Sequence, residues 1–510
     1  MSKIIKLSPV LCAALGAAVS YYVFFPLYRS GFISTWVLLL PVAVAAAVLC
    51  FFRVAVSLLN SEGLSLAVPG MPVRSLRFIS MLIIAFTAGL ALGIGSGSKA
   101  LTRISFGIPE NKVSGISGIL LDDPRIVSGG RAMATLSLKN SAGPGGVRTS
   151  ARGEVTVFFP EFSASRLKEF GRGAEVFAEG SLKRRTDTDV FIFTADTLHI
   201  TKAASAIENF RTGLRLSLTR RFTGSQENAW GGLALALLLG IRDNLDSGFA
   251  ALYRDAGCSY LLALSGMHLA VLIALISFLL KKPLGLRTAA LAGSIVIIAY
   301  CFLVGPFPSL TRSVIMYLLG VLAVVGFFKK DPFSLLCMAF LIQLTATPQA
   351  GLTVSFMLSY LALAGILILG KLINIIFMGL LPKILRNSLS ASLGALIATA
   401  GISVWFFGDL RPMGIIAGLV LAPLVTVFMV GALIWLGLSA IFPVISSVIE
   451  KPLSFLYWIM EKTAELAAYV PGVSANSYLV LLLSLIITAL VVLFGCRRYA
   501  EANYLKPFDV

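Results

Sequence analysis

Histidine is nearly absent from this chain, since only His199 and His268 occur among its 510 residues. A hydrolytic zinc centre needs three or four clustered His, Asp, Glu or Cys ligands, so two separated histidines argue against a binuclear metal site. Cysteine is also scarce. Its six copies include no CxxC pair and lie in or beside apolar segments, which favours packing roles over disulfides or thiolate sites. The sequence therefore predicts no metal and no other cofactor.

Two catalytic signatures are missing as well. Ser265 lies in Ala263-Leu-Ser-Gly-Met267, which lacks the flanking glycines of the GxSxG nucleophile elbow. The apolar run Gly365–Lys371 imitates the start of a phosphate-binding loop, but Leu372 replaces its Ser or Thr. No motor and no nuclease is evident, so an enzymatic activity stays uncertain and is not our first interpretation.

Charged residues are also scarce. They make up only 13% of the chain, against 57% hydrophobic residues, whereas soluble domains carry about 25% charged residues. The mean hydropathy is +0.91, and several runs reach the roughly 20 apolar residues that cross a bilayer. The composition therefore predicts a polytopic α-helical membrane protein. Its net charge of +18 suits anionic headgroups or an anionic polymer and does not choose between them.

The apolar segments form two blocks. The first contains predicted spans at about Ser8–Leu27, Phe32–Phe52 and Leu76–Gly95, the last ending in a Gly89-x-x-x-Gly93 spacing that lets helices approach closely. The second begins with Trp230–Gly240, which is too short to cross alone. Its candidate spans are Cys258–Leu280, Thr288–Val304, Leu310–Phe328, Phe333–Thr347, Leu352–Leu369, Ala391–Phe407, Met413–Leu438 and Tyr478–Phe494. The segment Ser454–Tyr469 has an interfacial character, so the side of the C-terminus stays open.

A polar segment, Lys99–Ser225, separates the two blocks. It holds 19 Lys or Arg against 12 Asp or Glu. Alternating apolar residues predict five strands, with a helix at Glu161–Phe170 between the third and the fourth. This is the strand and helix order of a small OB-like β-barrel. The predicted strands are Gly115–Leu121, Arg131–Lys139, Gly153–Phe159, Ala174–Leu182 and Val190–Ile200.

A basic amphipathic helix is predicted over Ala203–Phe222. Apolar side chains recur on it at helical spacing, and arginines flank them, so we expect the helix to lie at the headgroup surface. The apolar residues are Ile207, Phe210, Leu214 and Leu218, and the arginines are Arg211, Arg215, Arg220 and Arg221.

Charge asymmetry predicts the orientation. Lysines precede the first span and arginines lie between the second and the third, which places both on the cytoplasmic side. Three crossings then put the barrel outside. The resulting domains are N-terminal spans in 1–97, the extracytoplasmic OB-like domain in 98–202, the linker helix in 203–228, the main membrane domain in 229–496 and a tail in 497–510.

The stretch Leu237–Leu272 carries the most specific pattern. It contains Gly240-x-Arg242, Leu245-Asp246, Arg254-x-Ala-Gly257 and a Leu-Leu-Ala-x-Ser265-Gly266-x-His268 core. In this pattern the chain resembles the ComEC family of competence proteins. Weaker matches follow downstream, at Thr311-Arg312-Ser313, Asp331-Pro332 and Ser355-Phe-Met-Leu-Ser359-Tyr-Leu-Ala362.

The resemblance implies an inner-membrane channel through which single-stranded DNA enters the cytoplasm during natural transformation. It also implies partners: a periplasmic DNA receptor and a cytoplasmic helicase-like ATPase. The oligomeric state stays open, with a homo-oligomer as one option. The chain departs from the family at Tyr260, where a second histidine is usual, and at Ala417, where Asn is common. A C-terminal metallo-β-lactamase-like domain is not found before Val510, so we expect any strand degradation to need a separate nuclease.

Several motif residues are candidates for the channel. Ser265 and His268 share one helix face, and polar groups in membranes usually face a bundle interior or a water-filled path. Alternatively, the histidine bonds a backbone carbonyl and fixes helix packing. Arginines and aspartates before this helix suggest a charged mouth, or else a surface salt-bridge cluster. The candidates are Gly240, Arg242, Asp246, Arg254, Gly257, Ser265, Gly266, His268, Arg312, Asp331, Ser355 and Ser359.

Other readings stay open at this point. Arg312 near the start of a span should line a cavity or pair with a partner, and snorkelling to the interface is its alternative. In the barrel, Phe158, Phe177 and Phe193 could stack on DNA bases or fill the core. A transporter or flippase for another anionic substrate suits the same arginines. A membrane-embedded hydrolase with Ser265 as nucleophile and His268 as base is the weaker third hypothesis.

Overall fold

The computed structural model describes residues 8–24, 73–100, 104–127, 130–161, 171–185, 190–224, 229–326, 331–441, 443–474 and 477–504. Three sequence predictions fall wholly or largely outside these ranges. They are the second span, Phe32–Phe52, residues 162–170 of the helix between the third and fourth strands, and residues 505–510 of the tail.

Five strands close a small barrel in the N-terminal part of the chain. The ladder runs from β2 to β4, β6, β8 and β7 and back to β2, and every pair is antiparallel except β6 with β8. The sequence prediction of a small five-stranded barrel is confirmed, with strand bounds shifted by a few residues. With the three strands outside this closed ladder included, the strands of this part are β1 (Ser105–Phe106), β2 (Gly115–Leu120), β3 (Arg125–Ile126), β4 (Ala132–Ala142), β5 (Arg148–Arg152), β6 (Glu154–Phe159), β7 (Glu175–Arg185) and β8 (Val190–Lys202).

Alternation along the strands fills the barrel core. In β6, Val155, Val157 and Phe159 are buried while their neighbours face outward, as the period of two requires. Phe193 is also fully buried and is therefore a core residue that cannot stack on a base. Phe158 is only half-buried, so it stays available at the surface.

Helices dominate the rest of the described chain. The α-helices are α1 (Pro9–Val19), α2 (Val73–Ala100), α3 (Ala206–Thr223), α4 (Ala229–Leu239), α5 (Ser247–Asp255), α6 (Ser259–Leu262), α7 (Gly266–Val304), α8 (Pro308–Val325), α9 (Pro332–Ala346), α10 (Val354–Gly365), α11 (Lys371–Ile376), α12 (Lys383–Phe407), α13 (Met413–Ile441), α14 (Pro443–Ala468) and α15 (Ser477–Tyr504). Seven segments are long and apolar enough to cross a membrane, and they lie in α2, α7, α8, α10 with α11, α12, α13 and α15. A short ladder pairs β9 (Asp409–Leu410) with β10 (Val473–Ser474).

Glycines bring α1 and α2 together. A Cβ at Gly89 would lie 2.0 Å from the carbonyl oxygen of Ala13, and one at Gly93 would lie 2.4 Å from that of Ala17. Neither distance leaves room for a side chain. The predicted close approach at this small-xxx-small spacing is therefore confirmed, with α1 as the partner helix.

The helix α7 contains two of the predicted spans. Gly285 interrupts it with φ 74° and ψ 171°, a conformation that glycine adopts without a steric penalty. The chain doubles back there, and a contact between the two arms shows it: Ile276 Cγ2 lies 3.5 Å from the place of a Cβ on Gly293. The first of these two predicted spans, Cys258–Leu280, was placed too early, since the membrane helix begins only at Gly266.

Two other helices of the membrane domain, α4 and α14, are not among the candidate membrane spans. The short apolar helix α4 is surrounded by protein, because all its residues from Trp230 to Leu239 are buried, and most of them belong to the main core cluster. The helix α14 packs along α13 and is not among the seven candidate spans. The interfacial character of Ser454–Tyr469 stays a prediction.

Candidate functional site

The motif residues converge where α4 ends and where α7 and α8 begin. Gly240 follows α4 with φ +70°, and a Cβ on it would lie 2.5 Å from Leu264 and 3.1 Å from the ring of Phe307. Only glycine therefore allows the loop after α4 to contact both helix starts. The Ser309 hydroxyl donates to the Leu264 carbonyl oxygen at 2.5 Å and ties the two starts together.

Ser265 and His268 form the N-terminal cap of α7. The Ser265 hydroxyl oxygen accepts from the Met267 N–H at 3.3 Å, and His268 Nδ1 accepts from the Ser265 N–H at 3.0 Å. These reciprocal bonds are a capping box with histidine in the position of the usual Glu or Gln. The hydroxyl and Nδ1 are 2.9 Å apart. The Ser-x-x-His spacing was a helix-start signal that the sequence interpretation missed.

Gly266 and Arg312 lie together on the other side of this cap. A Cβ on Gly266 would lie 3.2 Å from Arg312 Nη2 and 2.8 Å from the Ser313 hydroxyl oxygen. Arg312 is only 8% exposed. Its guanidinium donates to the Ser359 carbonyl oxygen and stacks on the Tyr360 ring, with Cζ 5.8 Å from the centroid. The glycine thus lets a buried cation approach the positive end of a helix dipole.

A chain of polar groups continues from Arg312 into the bundle. The Tyr360 hydroxyl donates to Gln343 Oε1 at 2.9 Å, and Gln343 Nε2 donates to the Pro308 carbonyl oxygen at 3.0 Å. Gln343 is buried. Among the residues that the structure describes, Arg312 has no ion pair with a carboxylate, and its Nε has no hydrogen-bond partner.

The aspartates of the motif cap other helices. Asp246 Oδ2 accepts from the Phe249 N–H at 2.7 Å at the start of α5, and Asp331 Oδ2 accepts from the Ser334 N–H at 2.9 Å at the start of α9. Burial tends to raise the pKa of Asp331, but the Ser334 hydrogen bonds outweigh it and the pKa is lowered. Both aspartates therefore have a structural task beside any role in a channel.

The remaining motif residues are spread over the domain. A Cβ on Gly257 would lie 2.8 Å from Arg411 Cβ, so this glycine serves a backbone approach. Arg254 and Ser355 are exposed, and Ser359 is half-buried. The structure thus joins Gly240, Gly266, Arg312 and the Ser359 carbonyl through their neighbours, and it places Arg254, Gly257, Asp331 and Ser355 at other positions.

A second cluster, which sequence reasoning missed, links the barrel to the membrane domain. Asp123, in the loop after β2, accepts from Arg211 Nη2 at 2.5 Å and Nη1 at 2.9 Å, and Arg215 Nε lies 3.4 Å away. Arg211 Nε also donates to the Phe302 carbonyl oxygen at 2.7 Å, and Arg215 Nη1 donates to that of Leu303 at 2.9 Å. We call Asp123, Arg211 and Arg215 the Asp123 cluster.

The face of α3 that packs on the protein carries Arg211, and the apolar stripe predicted to lie at the headgroup surface is largely exposed. Arg211 is 1% exposed, whereas Ile207 is 68% and Phe210 is 72% exposed. The placement of this helix at the headgroup surface stays a prediction. The carboxylate of Asp123 and the free carbonyls at the end of α7 hold Arg211 and Arg215 against the protein, because they satisfy the hydrogen-bond donors of both arginines there.

The barrel touches the same junction through β3. The Ile126 N–H donates to Asp243 Oδ1 at 3.3 Å, and Arg125 Cζ lies 5.3 Å from the centroid of the Phe307 ring. Burial and the charge of Arg125 lower the pKa of Arg242 in the loop after α4, which places two guanidinium groups near each other. The barrel edge and this loop are therefore in contact, with Arg125, Arg242 and Asp243 at the junction.

These features define a multi-pass helical membrane protein with a small β-barrel that contacts α3, the loop after α4 and the start of α8, and with a buried cation in its membrane domain. The family model described as Competence protein matches residues 237–499, more than half of the chain. The chain belongs to this family of ComEC-type competence proteins, which indicates a role in DNA uptake during competence. No curated protein matches the chain significantly.

Proposed function

We propose that this protein is a channel component of the bacterial inner membrane that passes single-stranded DNA into the cytoplasm during natural transformation. Arg312 is the observation that carries the proposal. It lies within the competence-family segment, is buried in the membrane domain and has no carboxylate partner among the described residues. A charge in this setting is costly unless an anion meets it, and a DNA phosphate is such an anion.

The barrel supports the proposal as the first DNA contact. Its closure, with β6 parallel to β8, agrees with an OB-type barrel, a fold that binds oligonucleotides. On its surface, Arg148 Cζ lies 5.3 Å from the centroid of the half-buried Phe177 ring. A guanidinium beside an aromatic ring suits a phosphate and a base together. We place this domain on the extracytoplasmic side because of the basic residues that flank the first spans.

Partners are part of the proposal. The chain has no nucleotide-binding motif, so a cytoplasmic helicase-like ATPase is needed for directed movement, and a periplasmic DNA receptor is needed for delivery. We propose a separate nuclease for the non-transported strand, and an assembly of several copies as the form that encloses a path. A transporter of another anionic substrate is the second candidate, since Arg312 would serve it equally.

Loss of DNA uptake in a deletion strain is the direct test. We expect a strain without this gene to take up no labelled DNA into the cytoplasm and to recover uptake when the wild-type gene returns. Normal uptake without the gene would contradict the DNA-channel function. Loss of transport of another anion with intact DNA uptake would support the second candidate instead.

Binding of DNA by the isolated segment Lys99–Ser225 tests the role of the barrel. We expect single-stranded DNA to bind with an affinity that falls steeply with salt, because phosphate contacts release counterions. Phe177→Ala should weaken binding by about 1–3 kcal/mol, as loss of one stacking platform does. Val147→Ala, at an exposed neighbouring position, is the matched control. Equal effects of the two substitutions would contradict stacking on Phe177.

A further inference from the structure

Three candidate membrane spans end close together where the chain passes from α11 to α12. The span Val354–Ile376 ends just before this short connection, and the span Lys383–Phe407 begins just after it. The span Tyr478–Gly495 ends beside them, because a Cβ on Gly495 would lie 2.8 Å from Leu372 Cβ of α11. The end of a membrane span marks the boundary between hydrocarbon and headgroups. The connection between α11 and α12 therefore borders the headgroup layer.

Positive charge is concentrated at this connection. Lys371 begins α11, and Lys383 and Arg386 lie in the first turn of α12, three residues apart and so on one face. No Asp or Glu occurs in the sequence from Lys371 to Phe407. The charge of Asp331 at the start of α9 acts on Lys371, whereas Lys383 and Arg386 form no ion pair within the part of the chain that the structure describes. An anion for these two residues has to come from outside that part.

The start of α12 also has no side-chain cap. Its N-cap residue is Pro382, which cannot accept a side-chain hydrogen bond from the first turn. By comparison, the side chains of Asp246, Ser265, Asp331 and Thr353 cap α5, α7, α9 and α10. The N-terminal end of a helix dipole is positive, so it favours anions and disfavours cations. An external anion would therefore stabilise an uncapped first turn that carries two cations.

Arg386 is the best donor for such an anion. Its side chain is half-buried, and its Nε is covered by protein and has no hydrogen-bond partner among the described residues. The planar guanidinium group has five N–H donors and fits the oxygens of a phosphate. One helical turn away, Asn374 Nδ2 of α11 donates to Asn387 Oδ1 of α12 at 2.7 Å. This bond fixes α11 against the start of α12 and so holds the cations in place.

Exposed apolar side chains lie among these cations, since Leu380 is 71% and Ile384 is 84% exposed. We call Lys371, Lys383, Arg386, Leu380 and Ile384 the Arg386 surface. Basic and apolar groups side by side are typical of a segment that lies among lipid headgroups, whereas a passage for DNA would be lined by polar groups and water. We propose that the Arg386 surface binds an anionic phospholipid, with Lys383 and Arg386 donating to its phosphate oxygens. The proposal concerns lipid binding alone and does not depend on DNA transport.

Phosphatidylglycerol and phosphatidylcholine with the same acyl chains are suitable probes, because the first is anionic and the second has no net charge. The purified full-length protein in an uncharged detergent is titrated with each lipid, and the bound lipids are counted by native mass spectrometry. We expect phosphatidylglycerol to bind at least about fivefold more tightly, since one basic residue at a membrane surface contributes an attraction of that size. Equal affinity of the wild-type protein for the two lipids would overturn the proposal. Displacement of the bound phosphatidylglycerol by a short single-stranded oligonucleotide would also overturn it, because the surface would then belong to nucleic acid.

Double variants locate the site. Lys383→Gln combined with Arg386→Gln removes both donors and should abolish the preference for phosphatidylglycerol, and Lys383→Gln alone, at an exposed position, should lower it about fivefold. Lys281→Gln combined with Lys282→Gln is the matched control. These exposed lysines precede the turn at Gly285, at the end of a helical arm where the dipole favours cations, so the preference should survive there. An equal loss in the two double variants would indicate general charge attraction and would overturn the site.

Discussion

Asp123→Asn is expected to lower the free energy of unfolding by about 3 kcal/mol, because removing one partner of a buried ion pair leaves the other charge uncompensated. Arg211 is 1% exposed and loses its bidentate carboxylate in this variant. Glu208 Oε2, 3.4 Å from Arg211 Nη1, is too distant to replace both bonds. The loss should appear as a lower thermal midpoint of the full-length protein in detergent.

Hydrogen exchange should locate this loss. The backbone amides of α3 should exchange faster in Asp123→Asn, because the cluster joins this helix to the barrel and to the end of α7. Asp196→Asn, at an exposed position of β8, is the control and should change neither the midpoint nor the exchange. Unchanged exchange in α3 would show that Asp123 does not hold the barrel in place.

The pH dependence of the same cluster has a defined sign. Burial tends to raise the pKa of Asp123, but the hydrogen bonds and charges of Arg211 and Arg215 outweigh it, and the pKa is lowered. A carboxyl with a lowered folded-state pKa contributes its full stability above its ordinary pKa, near 3.9. That contribution is lost as the pH falls through the lower folded value. Asp123→Asn should remove this acid-side loss.

Arg312→Gln is expected to reduce DNA uptake by about tenfold to hundredfold. A hydrogen bond to a charged group contributes about 1.5–3 kcal/mol, and this free energy corresponds to that range. The same change should leave the thermal midpoint equal or higher. The reason is that Arg312 is a buried cation without a carboxylate partner among the described residues, so its replacement removes a desolvation cost and no ion pair. Uptake and stability should therefore change independently.

Two other arginine variants make this test specific. Arg312→Lys keeps the charge but loses the planar fork, so it should recover part of the uptake. Arg211→Gln removes an arginine that is paired with Asp123 and should lower the thermal midpoint. If Arg312→Gln lowers the midpoint as much as Arg211→Gln does, the role of Arg312 is structural and the phosphate contact is not supported.

Sequence reasoning succeeded where the interactions join residues that are close along the chain. Alternation predicted the five barrel strands, and the Gly89-x-x-x-Gly93 spacing predicted a close helix pair, because both signals are local. The Leu237–Leu272 motif predicted the family. The same motif did not show that Ser265 and His268 cap a helix, since a capping box normally carries Glu or Gln, nor that Asp246 caps the next helix.

Long-range contacts account for what the sequence left open. The helix α3 has an apolar stripe, and nothing within its own sequence shows that Asp123 and the end of α7 would turn Arg211 inward. Likewise, Phe158 and Phe193 look equivalent as strand residues, and only barrel closure decides which of them is in the core. By contrast, the turn at Gly285 was predicted, because it lies between the separate spans Cys258–Leu280 and Thr288–Val304, and the contact between Ile276 and Gly293 confirms it.

The sequence by itself determined that this is a multi-pass membrane protein of the competence family with a small inserted barrel, because hydropathy, period-two alternation and a contiguous motif are all encoded locally. Only the tertiary structure decided which charges are paired. Arg211 and Arg312 are both arginines of helices, yet one has a carboxylate from a residue 88 positions earlier and the other has none among the described residues. This difference follows from folding in three dimensions, and it separates an arginine held by an ion pair from the one that we propose meets a passing anion.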